Sequence, residues 1–327
     1  MRKRAFGKTG LEISAIGLGT WAIGGGDYAF GWGAQDDAES IAAIERAVDR
    51  GINWVDTAPV YGLGRSEEVV GRALKNLGSR RPLVFTKCSL VWADGKRDVQ
   101  HSLEAASIRR EVENSLRRLG VDAIDLMQIH WPHFSDVPSA GSIEEAWGEL
   151  ASLKKAGKVR HVGVSNFKAE DMERASKVAS VETLQPPYSL LRRAIEAEIL
   201  PYCLAHQIGV IVYSPMQAGL LSGKMSVQRV ASLPDDDWRK RTPEFQEPRL
   251  SKNLAFVEVL RRVGARHGAS PGEVAVAWVL RNPAVTGAIV GLRRPQQVDE
   301  MVGAADLELT DDDVHEVETA LAEVRTT

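Results

Sequence analysis

The sequence predicts one domain, residues 1–327, folded as a single α/β (β/α)8 TIM barrel with an N-terminal β-hairpin and additional helices near the C-terminus. Short apolar runs of strand length recur along the chain. Segments with helical periodicity fall between them. The number of such alternations suits a parallel sheet whose crossover helices cover it on closure. A doubly wound open sheet is the rival arrangement at this stage.

The opening segment, "MRKRAFGKTGLEISAIGLGTWAIGGG", has a basic head and an apolar run. Glu12 interrupts that run, glycines dilute it and no small-x-small cleavage pattern follows, so it reads as a hairpin leading into the first strand. Barrel strands are predicted over 15–19, 52–56, 83–87, 124–130, 159–165, 183–185, 209–214 and 285–290. Helices are predicted over 37–50, 66–77, 107–119, 168–178, 197–207, 250–266 and 271–280. A further helix starts at Ser142, with Glu145 completing a capping box. Its apolar face is Ile143, Ala146, Trp147, Leu150 and Leu153, and Gly157 ends it in the left-handed position after the last turn. Pro295 suits the first turn of another, since its missing N–H would have had no partner there. Thr310 and Asp313 cap the last helix, whose face is Val314, Val317, Leu321 and Val324. The polar stretch 216–249 reads as a loop.

Composition narrows the function classes. A formal net charge of −3, with 26% charged residues, carries no footprint of nucleic acid or an anionic membrane as partner. No run reaches the ~18 apolar residues of a membrane span. Cys88 and Cys203 have no metal-ligand spacing and point to a reducing compartment, the cytoplasm. "GLGTWA", residues 17–22, matches the dinucleotide fingerprint G-x-G-x-x-A, but that motif must open a helix directly and the predicted helix waits until Asp37. The Rossmann reading is therefore rejected.

In a barrel, reactive groups collect where the strands end. Here the strand ends carry Asp56, Lys87, His130, then Ser165 with Asn166, Gln185, and Tyr213 with Ser214. Each alone has a plain structural explanation, a loop cap, a snorkelling lysine or a satisfied core histidine. Their coincidence at one rim favours chemistry, because charges at the ends of apolar strands are costly unless paired. Asp56 and Lys87 would neutralise each other on adjacent strands, with Tyr61 within loop reach. An ammonium beside Tyr61 is expected to lower its pKa from the usual ~10. His130 offers a hydrogen bond to a substrate oxygen, and the set suits delivery of a proton to a carbonyl oxygen.

In order and context, Asp56, Tyr61, Lys87 and His130 resemble the catalytic tetrad of the aldo-keto reductase superfamily. The stretches "GLGTW", "DTAPVYGLGRSEEVVGRAL", "TKC", "IDLMQIHWP", "GKVRHVGVSNF", "LQPPYSLL" and "VYSPMQAGLLSGK" resemble its strand-end motifs over nearly the whole chain, with the nearest likeness to bacterial general stress protein type members. The resemblance implies a barrel that binds NADP(H) in an extended pose without a Rossmann fold. Hydride passes to a carbonyl carbon and Tyr61 supplies the proton, reducing aldehydes or ketones to alcohols.

Carried onto this sequence, Gly19, Thr20 and Trp21 flank the nicotinamide ribose near Asp56. Ser165, Asn166 and Gln185 bind the carboxamide, and Tyr213 stacks on the nicotinamide ring. Ser214, Pro215, Gln217, Gly219, Leu220, Gly223 and Lys224 form the loop over the pyrophosphate, with Arg239 reaching the same phosphates. Gly291, Arg293, Gln297 and Glu300 match the adenosine end, and Met301 departs from the family's asparagine there. Arg294 is either a second phosphate partner or a solvated residue. Trp21, Trp32, Trp92 and Trp131 are expected to line an uncharged pocket for a small-molecule carbonyl substrate, whereas Trp54, Trp147 and Trp278 fall on strands or helices and belong to the core.

Two other classes of function compete. A metal-dependent hydrolase needs a ligand cluster, but no H-x-H occurs among the seven histidines, and His130 and His133 lack companions, so no metal is expected. A cofactor-binding regulatory or redox-sensing subunit resembling potassium-channel β subunits would keep the tetrad and act by binding a membrane partner. The chain begins directly at the barrel, which favours the enzyme, with an oligomer compatible with either.

Overall fold

Parallel strands β3 (Ile16–Gly19), β4 (Trp54–Asp56), β5 (Leu83–Cys88), β8 (Ile124–Ile129), β10 (Val159–Ser165), β11 (Thr183–Gln185), β12 (Gly209–Val212) and β13 (Val285–Gly291) form a closed barrel. The ring runs in chain order and closes where β13 pairs with β3, Gly291 lying opposite Gly19. This computed structural model describes residues 1–26, 28, 30–134, 137–235 and 237–326. Asp27 and Ala29 of the predicted first rim loop, and Asp236 of the predicted 216–249 loop, lie outside the described residues.

The predicted strands recur with shifts of one or two residues at their ends. An inward-facing layer of Trp54, Phe85, Leu126, Ile211 and Ile289 fills the barrel. The hairpin β1 (Lys3–Ala5) and β2 (Glu12–Ser14) closes its lower end, adding Phe6 and Ile13 to that layer. The Trp54 indole N–H donates to the Ser14 carbonyl at 2.9 Å, which ties the plug to the barrel floor. Alternate strand residues such as Val55 and Val84 face outward and pack with the helices in a second, larger core. Trp147 and Trp278 are buried there, as expected.

The barrel helices are α1 (Asp37–Asp49), α2 (Arg65–Leu77), α3 (Ala105–Leu119), α4 (Ile143–Lys155), α5 (Ala169–Ser176), α6 (Ile199–Ala205) and α10 (Pro295–Met301). Between β12 and β13 lie α7 (Val227–Ala231), α8 (Arg249–His267) and α9 (Pro271–Leu280), and α11 (Asp311–Thr326) ends the chain.

The α4 capping box is only half made. Ser142 accepts the Glu145 N–H at 3.2 Å, but the Glu145 carboxylate accepts the Ala105 N–H at 2.8 Å. That external cap also lets α3 start two residues before the predicted Ser107. The expected capping box at Thr310 and Asp313 is complete, with hydrogen bonds of 2.9 and 3.2 Å.

Two features of the fold escaped the periodicity. A small sheet of β6 (Leu90–Val91), β7 (Gln100–Leu103) and β9 (Ser139–Gly141) stands above the barrel mouth. Stretch 216–249 is not a plain loop: its Leu220, Val230 and Phe245 form a small core with Leu250 of α8.

Candidate active site

Register places the tetrad. Asp56 is the last residue of β4 and pairs with Phe85 of β5, so Asp56 and Lys87 both point into the barrel mouth on neighbouring strands. Lys87 Nζ donates to Asp56 Oδ1 at 2.6 Å, to the Thr57 carbonyl at 2.9 Å and to Tyr61 Oη at 3.4 Å. Its side chain is wholly buried, so all its hydrogen bonding is directed to these groups. The second Asp56 oxygen accepts from Gln185 Nε2 at 2.8 Å, which fixes the carboxylate from across the barrel. His130 follows β8, its ring edge-on to the Tyr61 ring with centroids 6.0 Å apart.

The loop that carries Tyr61 is held by close backbone contact. Gly62 has φ +65°, and a Cβ there would sit 2.2 Å from the Gly24 carbonyl. A Cβ on Gly24 would in turn meet the Tyr61 carbonyl carbon at 2.6 Å. Glycine at both positions lets the tyrosine loop lie against the turn after β3. Buried hydroxyls complete the clamp: Ser66 Oγ lies 3.0 Å from Thr57 Oγ1 and donates to Thr20 Oγ1 at 2.8 Å, and Thr20 Oγ1 donates to the Asp56 carbonyl at 3.0 Å. Thr20 therefore braces the strand ends with the hydroxyl expected to face the ribose.

The electrostatics correct one expectation. Burial, and then the Asp56 carboxylate, push the Tyr61 pKa well above that of a free tyrosine. The Lys87 ammonium favours the phenolate but does not outweigh them, because Asp56 at 2.6 Å offsets much of its charge. Tyr61 thus stands as a protonated acid. Burial pushes Lys87 below the ordinary lysine value, opposed by Asp56. Burial and the Lys87 charge hold His130 well below the usual histidine value, so its imidazole is neutral near pH 7.

A cavity of about 830 Å³ opens over these groups and runs across the mouth to α10. Gly19, Thr20, Trp21, Asp56, Ser165, Asn166, Gln185, Tyr213, Ser214 and Pro215 line its inner part. Asn166, in a left-handed conformation at φ +61°, donates to the His130 carbonyl at 2.9 Å and accepts from Tyr213 Oη at 2.7 Å. Burial pushes the Tyr213 phenol up to about 12. Ser214, Gln217 and Ala218 also take positive φ, a concentration of strained backbone beside a ligand cavity.

The outer part is lined by Gly219, Lys224, Arg229, Arg239, Gly291, Arg293, Gln297, Glu300 and Met301. Three expected contacts do not line it. Leu220 is fully buried in the core of the 216–249 segment, and Gln217 and Gly223 shape the same segment without facing the cavity. Arg239 borders the cavity, but its guanidinium is engaged by Asp237 at 2.7 and 3.0 Å and lies 4.7 Å over the Trp32 ring. Lys224 meets Glu300 across the opening at 2.5 Å. Arg293 donates from Nε to Gln35 at 2.5 Å and from Nη2 to the Ala34 carbonyl at 2.7 Å. Burial and the charges of Arg294 and Arg239 push its pKa down, so an anion is favoured beside it. Arg294 itself pairs with Glu39 at 3.3 Å on the exposed side and does not line the cavity.

Of the expected pocket tryptophans, Trp21, Trp32 and Trp131 line the cavity and Trp92 does not. Trp238 was missed: it stacks on Trp21 at 5.2 Å and meets Trp32 edge-on at 5.5 Å, drawing the long segment over the mouth. Tyr28, Phe30 and Phe134 are further lining residues that no strand-end pattern marks. Glu111 was also unforeseen; it accepts the Ser89 N–H at 2.8 Å just beyond Lys87, and burial pushes it up to about 8.

The donor set fits a nicotinamide dinucleotide. Arginine and lysine side chains gather at one end for phosphates, while an aromatic wall and an amide-bearing shelf lie at the other. No group of His, Cys, Asp and Glu among the described residues could hold a metal ion.

Comparison with known proteins agrees with this geometry. Residues 15–322 match the model of the Aldo/keto reductase family, and the chain belongs to that family. It is 40% identical to the aldo-keto reductase YhdN of Bacillus subtilis, over 98% of this chain and 94% of that one. It is 36% identical to the NADH-specific methylglyoxal reductase of Escherichia coli, over 96% of both chains. Among solved structures, the glycerol dehydrogenase AKR11B4 of Gluconobacter oxydans superposes with a TM-score of 0.88 at 40% identity, covering 99% of this chain and 96% of that one. The holo form of aldo-keto reductase AKR11C1 from Bacillus halodurans gives 0.77 at 26% identity, with the same coverage.

Proposed function

We propose that the protein reduces small aldehydes or ketones to alcohols with NADPH, and that Tyr61 is the proton donor. The observation that carries this reading is the 3.4 Å contact between Lys87 Nζ and Tyr61 Oη, with the lysine fixed to Asp56, at the floor of a cavity of about 830 Å³ lined from Tyr61 to Arg293. Tyr213 would hold a bound nicotinamide, which would supply hydride to the carbonyl carbon. Tyr61 Oη gives its proton to the carbonyl oxygen. The phenolate left behind faces the Lys87 ammonium, which stabilises it and passes a proton back. Neutral His130 donates an N–H to the same carbonyl oxygen and orients it. The aromatic wall of Trp21, Trp32 and Trp131 keeps water from the reacting carbon.

The relatives named for methylglyoxal and glycerol support a short oxygenated substrate. One of them is NADH-specific, so the preference for NADPH rests on this chain's own residues. Arg293 borders the cavity with Arg294 and Arg239 nearby, Asp237 and Glu39 only partly offset them, and no acidic residue lies between Gly291 and Gln297 in the turn itself. The buried free thiols Cys88 and Cys203 suit a reducing compartment, the cytoplasm. Fluorescence titration of NADPH and NADH, run beside turnover of a carbonyl panel, tests the reading. Arg293→Ala should weaken NADPH roughly 10- to 150-fold and leave NADH nearly unchanged, as expected for the loss of charge-assisted hydrogen bonds. Equal loss of both cofactors would assign Arg293 to holding the Ala34–Gln35 loop.

A further inference from the structure

One peptide group at the end of β5 is gripped from both sides. It joins Cys88 to Ser89, directly after Lys87. Its carbonyl, on Cys88, accepts the His130 N–H at 2.9 Å. Its N–H, on Ser89, donates to Glu111 Oε2 of α3 at 2.8 Å. Ser89 has φ +84°, a left-handed conformation that a residue with a Cβ avoids. It is fully buried, so water offers its N–H no other acceptor. The Ser89 carbonyl accepts the Ser102 N–H of β7 at 3.0 Å, which ties down the chain beyond the turn and leaves the peptide before it to Glu111 and His130. Glu111 is itself buried, and its other oxygen accepts from Ser107 Oγ at 3.1 Å. Burial pushes its carboxyl up to about 8, so it is largely protonated near pH 7 and glutamine is its close match.

An ionisable side chain between helix and barrel is costly, and the strained turn gives it a use. A left-handed serine relaxes to negative φ by turning the peptide ahead of it. That rotation carries the Cys88 carbonyl away from the His130 N–H. An acceptor fixed on α3 opposes the rotation by holding the Ser89 N–H on its own side. We propose that Glu111 is a positioning residue: through the Cys88–Ser89 peptide it holds the His130 backbone where the imidazole meets the substrate carbonyl. The inference rests on the carbonyl-reduction reading and adds to it a residue outside the cavity. Glu111 does not line that cavity, so its effect reaches the reaction only through the strand end it holds.

The test compares Glu111→Gln, Glu111→Leu and Glu111→Leu combined with Ser89→Gly. Each is assayed with the best substrate of the carbonyl panel, with cofactor affinity measured alongside. Glu111→Leu keeps the volume and removes the acceptor, so kcat should fall roughly 10- to 100-fold, the effect of a small displacement of a reacting group. Cofactor affinity should stay unchanged. Glu111→Gln should keep near-normal kcat, because its side-chain carbonyl accepts the Ser89 N–H. Adding Ser89→Gly to Glu111→Leu should restore kcat by roughly 5- to 30-fold, since glycine is at ease at positive φ and no longer pulls the peptide round. A purely structural role for Glu111 gives no such recovery. Normal kcat in Glu111→Leu, equal loss in Glu111→Gln, or no recovery with Ser89→Gly would each overturn the inference and leave the carbonyl-reduction reading in place. Where circular dichroism shows Glu111→Leu unfolded, Glu111→Met replaces it, and failure of both to fold would assign Glu111 to the core and overturn the inference. Absence of turnover of the whole panel by wild type would overturn that reading and this inference together.

Discussion

Asp56 ends β4 at the mouth of the barrel, and Asp125, the second residue of β8, lies at the opposite end; they are 3% and 2% exposed. Both are buried carboxylates paired with cations, yet their surroundings differ in kind. Asp125 accepts from Arg81 at 2.8 Å and from the Val84 N–H at 2.9 Å, and Arg160 approaches its other oxygen at 3.3 Å. Both arginines reach out to solvent, with side chains 30% and 59% exposed. Asp56 instead faces a lysine with no exposure at all, and that lysine also points at a tyrosine hydroxyl on the cavity floor. The lower pair closes on itself and holds strands together. The upper pair leaves one bond of its cation directed at the hydroxyl proposed as the proton donor. Burial and charge pairing alone therefore do not mark a catalytic site; the direction of the remaining hydrogen bond does.

The largest effect that separates the two ends comes from Lys87→Met. Removing a preorganised cation from a developing charge costs about 10²–10³ in kcat. Cofactor titration should be unaffected. Lys87 has a folded-state pKa below the ordinary lysine value, so wild-type reduction should decline as pH rises through that lowered value, and the mutant should lack this limb. An unchanged rate and an unchanged alkaline limb would detach Lys87 from the tyrosine. At the lower end, Asp125→Ala should reduce stability by roughly 1–3 kcal/mol, read from the urea midpoint, because the buried Val84 N–H loses its acceptor. Turnover per folded molecule should be near normal. A loss of kcat matching that of Lys87→Met would erase the distinction between the two ends. Arg160→Ala, at the exposed edge of the same cluster, should change stability by only about 0–1 kcal/mol.

Much of this was legible in the sequence, because local rules and the fold agree along most of the chain. The barrel strands are short apolar runs with punctuation on both sides, and the tetrad sits at their ends, where topology forces convergence. The small sheet of β6, β7 and β9 was not legible. Its strands are two to four residues long and carry polar residues such as Gln100 and Ser139, so no alternation builds up. The inner core of stretch 216–249 is dispersed over Leu220, Val230 and Phe245, which join Leu250 of α8 and are too widely spaced for one periodic window. Leu220 belongs to the segment the motif marks, and its side chain is buried in that segment's core. Trp92 does not line the cavity and Trp238 was not singled out, because a loop tryptophan's direction depends on contacts remote in sequence, here Trp21 and Trp32 for Trp238. The direction of the Tyr61 shift failed for a physical reason. The neighbouring ammonium was weighed without the carboxylate that neutralises it or the burial that outweighs it.

The central claim is that Tyr61, kept protonated by burial and poised over Lys87, delivers the proton. It is tested most directly by Tyr61→Phe under single turnover, with enzyme and NADPH premixed and the carbonyl added last. The account predicts that carbonyl reduction falls by about 10²–10⁴ while NADPH binds as in wild type. Reduction at a near-normal rate in that variant would contradict it.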